Sequence, residues 1–123
     1  MIGTIRALRT LWEDANDRLT GKAPKGAKRS SQWGKVRDAF LKKNPSCACC
    51  GGTKTLRVHH IVPFHEQPSL ELVETNLITL CEAKKYGINC HLLLGHLGNW
   101  RRWNATVVFS AGWWGLKIKG KQS

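Results

Sequence analysis

The first pattern in the chain is a run of apolar residues with the spacing of an amphipathic helix. Steps of three and four residues separate Ile5, Leu8, Trp12, Ala15 and Leu19. Gly21 follows, and a glycine there supplies the left-handed residue that often ends a helix. Acidic residues on this segment argue against an organelle-targeting peptide. We therefore interpret it as a helix that packs on the protein or forms a homodimer.

A basic linker and a second amphipathic helix come next. Residues 22–30 show no apolar periodicity and carry four positive charges, which predicts a flexible linker. A helix is then predicted from a cap at Ser30 or Ser31 to the stop at residues 44–45, where a proline follows an asparagine. Its predicted buried side carries Trp33, Val36, Phe40 and Leu41.

Two short strands are predicted in the middle of the chain. In residues 56–60 apolar and polar positions alternate, and residues 76–81 contain a continuous apolar run that predicts burial on both faces. A long ordered loop, residues 64–75, separates them. A regular strand would send His59 and His60 to opposite faces. For both to reach one site the first strand must end or bulge there, and Pro63 favours an ending.

The last third of the chain predicts further helix. Asn89 is a suitable cap for a helix that begins at Cys90 and continues through Leu97. Beyond it, Val107, Ala111, Trp114 and Ile118 keep helical spacing, although each of the two glycines among them costs a helix about 1 kcal/mol. A hairpin that turns at residues 111–112 is the alternative, and we favour the helix.

Four of the five cysteines have the spacing of metal ligands. Cys47 and Cys50 precede a glycine, as in the tight turn of a zinc knuckle, and Cys81 and Cys90 form a wider second pair. Four thiolates select Zn²⁺, which would join the two ends of the strand unit. Cys49 is then the odd residue, although the spacing leaves open an exchange with Cys47 or Cys50.

The charge distribution indicates a polyanionic partner. The net charge is +12, of which residues 1–58 contribute +9, residues 59–99 contribute −2 and residues 100–123 contribute +5. Basic flanks around a nearly neutral centre suit nucleic acid held by its phosphates, with DNA as the expected partner. No signal peptide or membrane span is apparent, which predicts a cytoplasmic, non-secreted protein with no membrane partner.

The order of residues between Leu56 and His91 resembles the HNH endonuclease family, whose His-Me finger is a ββα-metal core. The resemblance rests on adjacent histidines, then an asparagine, then a third histidine, with Pro63 and the cysteine knuckle in support. It implies that His60 is the general base, that His59 and His91 bind a catalytic divalent ion, and that Asn76 holds the loop carrying the base. It also implies a bacterial or phage-infected cell as the setting.

One position departs from the family pattern. Several members place another histidine four residues after the last one, whereas this chain has Gly95 there and His96 one residue later. A step of five rotates about 140° around an α-helix, so His96 should point away from His91 unless the helix bulges. We expect His96 to be a phosphate contact or a structural residue.

Together these patterns predict an α+β fold, a small zinc-stabilised ββα-metal core with flanking helices. The predicted divisions are a basic helix and linker (1–30), the nuclease core with its knuckle (31–104) and a C-terminal extension (105–123). The expected function is DNA hydrolysis with structural Zn²⁺ and a catalytic Mn²⁺, Ni²⁺, Co²⁺, Zn²⁺ or Mg²⁺. The alternatives are a non-catalytic zinc-stabilised DNA-binding module and an RNA nuclease with the same core. Candidate phosphate contacts are Lys28, Arg29, Lys35, Arg37, Arg57, His65, Arg101 and Arg102.

Overall fold

The fold is an antiparallel hairpin with helices on either side of it in sequence. The computed structural model describes residues 27–122, so the predicted helix at residues 5–19 and most of the linker lie outside the described residues. The element order confirms the predicted α+β class. The elements are α1 (Trp33–Lys43), β1 (Leu56–His60), β2 (Leu77–Cys81), a π-helical turn (His91–Gly95) and α2 (Val107–Gln122).

Helix α1 begins later than the sequence predicts. The Ser30 carbonyl accepts a hydrogen bond from Trp33 N at 3.2 Å, and the Ser30 hydroxyl accepts one from Gln32 N at 3.1 Å. Ser30 therefore closes a turn ahead of the helix instead of capping the helix itself. At the other end, Asn44 donates from its backbone N and from Nδ2 to the Phe40 carbonyl, at 2.8 and 3.2 Å, and so ends the helix.

The hairpin sets the position of both central histidines. Strands β1 and β2 pair with Leu56 opposite Cys81 and His60 opposite Leu77. All five residues of β2 are buried, as the continuous apolar run predicts. Strand β1 stays regular and ends at His60, so of the two expected alternatives the strand ends and does not bulge. His59 and His60 consequently enter different surroundings.

The connection between the strands is a loop built from turns. It contains two short 3₁₀ turns, Pro68–Leu70 and Glu74–Asn76. Asn76, predicted as the first residue of the second strand, lies instead in the turn that leads into β2.

The segment after β2 folds into a π-helical turn where an α-helix was expected. The Asn89 side chain caps it, because its Oδ1 accepts a hydrogen bond from Leu92 N at 2.9 Å. The turn spans only His91–Gly95, and Leu97 adopts a φ of 53° that no helix continues through. Gly98 N then donates to the Leu92 carbonyl at 2.9 Å and closes the end of the turn. The expectation of a helix through Leu97 was therefore wrong in type and length.

Helix α2 confirms the helical prediction for the tail, and the hairpin alternative was wrong. Val107, Ala111 and Ile118 are buried in one core with Leu80 of β2. Gly115 makes a close approach that only glycine permits, because a Cβ at this position would lie 2.8 Å from the Cys49 carbonyl oxygen. Within the described residues, no helix is long and apolar enough to cross a membrane.

Candidate metal and catalytic site

Four cysteines from three parts of the fold form one cluster. Cys47 and Cys50 lie in a tight turn, closed by a hydrogen bond from Gly51 N to the Cys47 carbonyl at 2.9 Å. Cys81 ends β2, and Cys90 directly precedes the π-helical turn. The four sulfurs lie within 4.8 Å of one another. Sulfurs bound to one Zn²⁺ at about 2.3 Å lie roughly 3.8 Å apart, so the cluster has the size of a structural zinc site.

Burial and mutual contacts shift the pKa values of the thiols in the cluster. Burial raises the pKa of Cys50 to about 11. The Cys90 thiol donates to Cys47, which lowers the pKa of Cys47 and raises the pKa of Cys90. A dication bound by the four sulfurs would favour the thiolate form of each of them. Cys49 is buried beside the cluster but is not among the four converging ligands.

Three histidines form a second cluster beside the hairpin. His59 comes from β1, while His91 opens the π-helical turn and His96 directly follows it. One nitrogen of each ring lies within 4.8 Å of the others, and Nε2 of His91 is 3.2 Å from Nε2 of His96. Two nitrogens bound to one ion at about 2.0–2.1 Å with a tetrahedral angle lie roughly 3.3 Å apart. The spacing fits a single metal ion.

The position of His96 corrects the expectation that it would point away from His91. A π-helical turn advances fewer degrees per residue than an α-helix, so a step of five returns a side chain to the same face. His96 Nδ1 donates to the Arg102 carbonyl at 2.8 Å. Because a carbonyl only accepts, the proton resides on Nδ1 and the Nε2 lone pair faces the cluster.

Gly95 makes the room that this arrangement requires. A Cβ at residue 95 would lie 2.9 Å from Cε1 of His59 and 3.1 Å from its Nδ1. The His59 ring thus packs against the bare backbone of the turn. Gly95 lies four residues after His91, where several members of the resembled family have a histidine. Its lack of a side chain leaves the space that the His59 ring occupies.

One nitrogen atom in the cluster tests whether a metal fits. Nε2 of His59 is buried and has no hydrogen-bond partner in the part of the chain that the structure describes, whereas Nδ1 of His91, the ring nitrogen that does not face His96, lies 4.0 Å from a carboxylate oxygen of Glu82. Buried polar atoms of this kind normally have a partner. Burial lowers the pKa of His59 to about 3 and the pKa of His91 to about 4. Both rings are therefore neutral at physiological pH, which is the state that binds a metal.

His60 lies apart from the three-histidine cluster and is held through one ring nitrogen. Its Nε2 is 2.9 Å from the Glu71 carbonyl oxygen, so Nε2 carries the proton and Nδ1 carries the lone pair. The Trp33 ring packs over the imidazole with 4.3 Å between ring centroids. Burial lowers the pKa of His60, while the bond to the Glu71 carbonyl opposes that shift. The ring is a neutral base with a defined tautomer.

Asn76 fastens the segment that follows His60. Its Oδ1 accepts a hydrogen bond from Val62 N at 2.9 Å, and its Nδ2 donates to the carbonyls of Val62 and Leu70 at 3.0 and 3.1 Å. The buried amide thus joins the end of β1 to the loop between the strands. These contacts support the loop-holding role that the family resemblance implies.

The candidate phosphate contacts are spread over the surface. Arg57 pairs with Glu82 at 2.7 Å, and Arg29 lies over the Phe64 ring at 4.7 Å. His65 is exposed, lies 3.4 Å from a Glu66 carboxylate oxygen and does not belong to the histidine cluster. Those with exposed side chains are Lys28, Arg29, Lys35, Arg37, Arg57, Arg101 and Arg102.

Three residues near the site escaped the sequence interpretation. His96 could have been recognised from the step of five if a π-helical turn had been considered. Trp33 was assigned only to the buried side of α1. Glu71, whose carbonyl holds the His60 ring, was assigned only to the loop, and a backbone contact leaves no signal in the residue type.

Comparison with known families agrees with the geometry. Residues 47–95 match the family model described as HNH endonuclease. The match begins at the first cysteine of the cluster and ends one residue before His96. Comparisons with curated proteins and with solved structures found no match.

Proposed function

We propose that the chain hydrolyses DNA phosphodiester bonds with His60 as general base, since its residues 47–95 form an HNH endonuclease family domain. The observation that carries this proposal is the tautomer of His60. With Nε2 committed to the Glu71 carbonyl, the Nδ1 lone pair is the one that can take a proton.

The chemical step follows from that lone pair. His60 Nδ1 removes a proton from a water molecule, whose oxygen attacks phosphorus, and the bond between phosphorus and the 3′ oxygen breaks. The departing 3′ oxygen takes a proton from solvent water. The products are a 5′-phosphate and a 3′-hydroxyl group, as the family resemblance implies. A buried, neutral imidazole suits this role because it accepts a proton at physiological pH. Asn76 keeps the loop behind the base in place through its three hydrogen bonds.

We assign the catalytic divalent ion to His59, His91 and His96. The support is their convergence, the buried Nε2 of His59 without a partner among the described residues and the space that Gly95 provides. A bound ion would neutralise the negative charge that develops around phosphorus and on the departing oxygen. The four-cysteine cluster is assigned to structural Zn²⁺, and Cys90 links it directly to His91.

DNA binding is assigned mainly to phosphate contacts. Exposed lysines and arginines flank the site in sequence, on α1 and in the loop after the π-helical turn. Contacts of this kind position a duplex without reading its sequence, and they weaken with salt by about 0.9 log units of affinity per log unit of salt for each phosphate contact.

The test uses purified zinc-loaded protein and supercoiled plasmid with Mn²⁺, with EDTA in a parallel reaction. His60→Ala should cleave roughly 10²- to 10⁴-fold more slowly than wild type, the usual contribution of a positioned base. It should keep its zinc content, melting temperature and DNA affinity. Ser69→Ala, an exposed change in the same loop, is the matched control and should cleave at the wild-type rate.

The outcomes separate the alternatives. A folded His60→Ala protein that cleaves at the wild-type rate would refute the assignment of the base. Cleavage of an RNA duplex but not of plasmid would retain the chemistry and change the substrate. Cleavage that persists in EDTA would refute the assignment of the divalent ion.

A further inference from the structure

The side chain of Glu71 anchors the loop segment whose backbone carbonyl, that of Glu71 itself, accepts the hydrogen bond from His60. Glu71 is only 4% exposed, although it carries a carboxylate. Both of its oxygens accept from the backbone N–H of Ser30, at 3.0 and 3.2 Å, across 41 residues of sequence. Arg29 lies 3.9 Å away and supplies the nearest positive charge. A buried carboxylate with these partners fixes the position of its own main chain.

The same entry to α1 also covers the base from another side. Trp33 lies three residues after Ser30, and its ring packs on the imidazole of His60. The His60 ring is therefore held at Nε2 by Glu71 and on its face by Trp33. Trp33 is the first residue of α1, and Glu71, in the loop between the strands, is hydrogen-bonded to Ser30 just before that helix. Neither belongs to the strands or to the π-helical turn that carry the three-histidine cluster.

We propose that Glu71 and Trp33 are positioning residues for His60, and that the Ser30 N–H locks this arrangement by binding the Glu71 carboxylate. The proposal rests on the proposed role of His60 as the base. A hydrogen bond to a carbonyl can orient a ring only as firmly as that carbonyl is itself held. The turn around Glu71 is otherwise secured by hydrogen bonds within the loop, from Glu71 N to the Pro68 carbonyl at 3.2 Å, from Val73 N to the Leu70 carbonyl at 3.2 Å and from Asn76 Nδ2 to the same Leu70 carbonyl at 3.1 Å. The contact with Ser30 supplies the long-range restraint.

The first test removes one hydrogen-bond donor. Ser30→Pro deletes the N–H that Glu71 accepts, whereas Ser30→Ala keeps this N–H and loses only the hydroxyl. We expect kcat of Ser30→Pro to fall on the order of 100-fold, the effect of about 1 Å of misplacement, with little change in KM or zinc content. Ser30→Ala should remain within a few-fold of wild type. Equal rates for the two variants would overturn the role of this N–H.

The second test changes the two positioning residues. Glu71→Ala and Trp33→Ala should each lower kcat by a similar factor, and Glu71→Gln and Trp33→Phe should recover part of the loss because they keep an acceptor and a ring. Glu74→Ala is the control for Glu71→Ala, since Glu74 lies in the same loop but makes only an exposed ion pair with Lys43. A purely structural role would lower the melting temperature of the alanine variants and leave kcat unchanged.

A third measurement does not depend on cleavage. Long-range ¹H–¹⁵N NMR of the zinc-loaded protein reports which His60 nitrogen carries the proton. Wild type and Ser30→Ala should show one tautomer, protonated at Nε2, and Ser30→Pro should show a mixture of both tautomers. If wild type cleaves no nucleic acid but this difference appears, the proposed function fails and the positioning stands. If cleavage requires His60 while neither kcat nor tautomer responds to Ser30→Pro or Glu71→Ala, the positioning is refuted.

Discussion

Gly95→Ala is the substitution that tests the metal site most sharply. In an ordinary helix this change is favourable by about 1 kcal/mol, because alanine has the highest helix propensity. Here the structure predicts the opposite sign. The added Cβ would lie 2.9 Å from Cε1 and 3.2 Å from Nε2 of His59.

The magnitude follows from that distance. Carbon atoms in ordinary contact are about 3.5 Å or more apart, so the His59 ring or the turn must move by roughly 0.6 Å. His59 is 4% exposed and cannot swing freely away. A site that holds an ion tolerates deviations of only about 0.2 Å in ligand distance. We therefore expect Mn²⁺ affinity and cleavage at limiting metal to fall on the order of 10- to 100-fold, the range found when groups that orient ligands are changed.

Stability should change less than metal binding. Overpacking costs roughly 1–3 kcal/mol, and the gain in helix propensity offsets up to about 1 kcal/mol of that. Gly112→Ala is the matched control, because it also lies in a helix but its added Cβ meets nothing within 4 Å. It should raise the free energy of unfolding by up to about 1 kcal/mol and leave the site unchanged.

The assay is titration of the zinc-loaded protein with Mn²⁺ by electron paramagnetic resonance, together with plasmid cleavage over the same range of free metal. Wild-type metal affinity and cleavage in Gly95→Ala would refute the close packing of His59 on the turn. Loss of affinity in Gly112→Ala as well would show that alanine in either helical segment acts through the global fold.

Three further predictions concern the metals and pH. Elemental analysis of purified protein should find about one zinc per chain, and Cys81→Ser should lower the free energy of unfolding by several kcal/mol. A Cys81→Ser protein with the melting temperature of wild type would contradict the role of Cys81 as a zinc ligand. Three imidazole ligands should favour transition ions, so cleavage should need less free Mn²⁺, Co²⁺ or Ni²⁺ than Mg²⁺; equal activity at matched micromolar Mg²⁺ would count against the ligand set. Because burial lowers the pKa of His60, the base stays neutral at pH values where an ordinary histidine would already be protonated. The cleavage rate at saturating metal should therefore stay constant from pH 8 to about 6.5 and fall only in more acidic solution, and a rate that is already half-maximal at or above pH 7 would refute this.

The hairpin and the four converging cysteines could be predicted because they depend on local signals. Alternation in residues 56–60, the continuous apolar run in β2 and the Cys-x-x-Cys turn each have one dominant structural solution. Helix α2 was predicted in the same way. The two glycines between Val107 and Ile118 lowered the expectation of a helix, and the reason for one of them, Gly115, is its close approach to the Cys49 carbonyl.

The parts that the sequence did not predict depend on contacts between distant segments. No residue type signals a π-helical turn, so the expectation for His96 assumed α-helical geometry. In an α-helix a step of five residues from His91 would point His96 away from the site. The contact between Ser30 and Glu71 spans 41 residues and uses a backbone donor. Neither residue type identifies such a contact, and only the folded chain shows it.

The direct succession of Cys90 and His91 has a consequence for the order in which the molecule matures. His91, the first residue of the π-helical turn, directly follows Cys90, the last residue of the four-cysteine cluster. Zinc bound by the four cysteines would add a restraint on the backbone at residue 90, one residue before the first histidine of the π-helical turn. We therefore expect zinc-free protein to bind Mn²⁺ at the histidines more weakly than zinc-loaded protein, so that loading of the first site favours loading of the second.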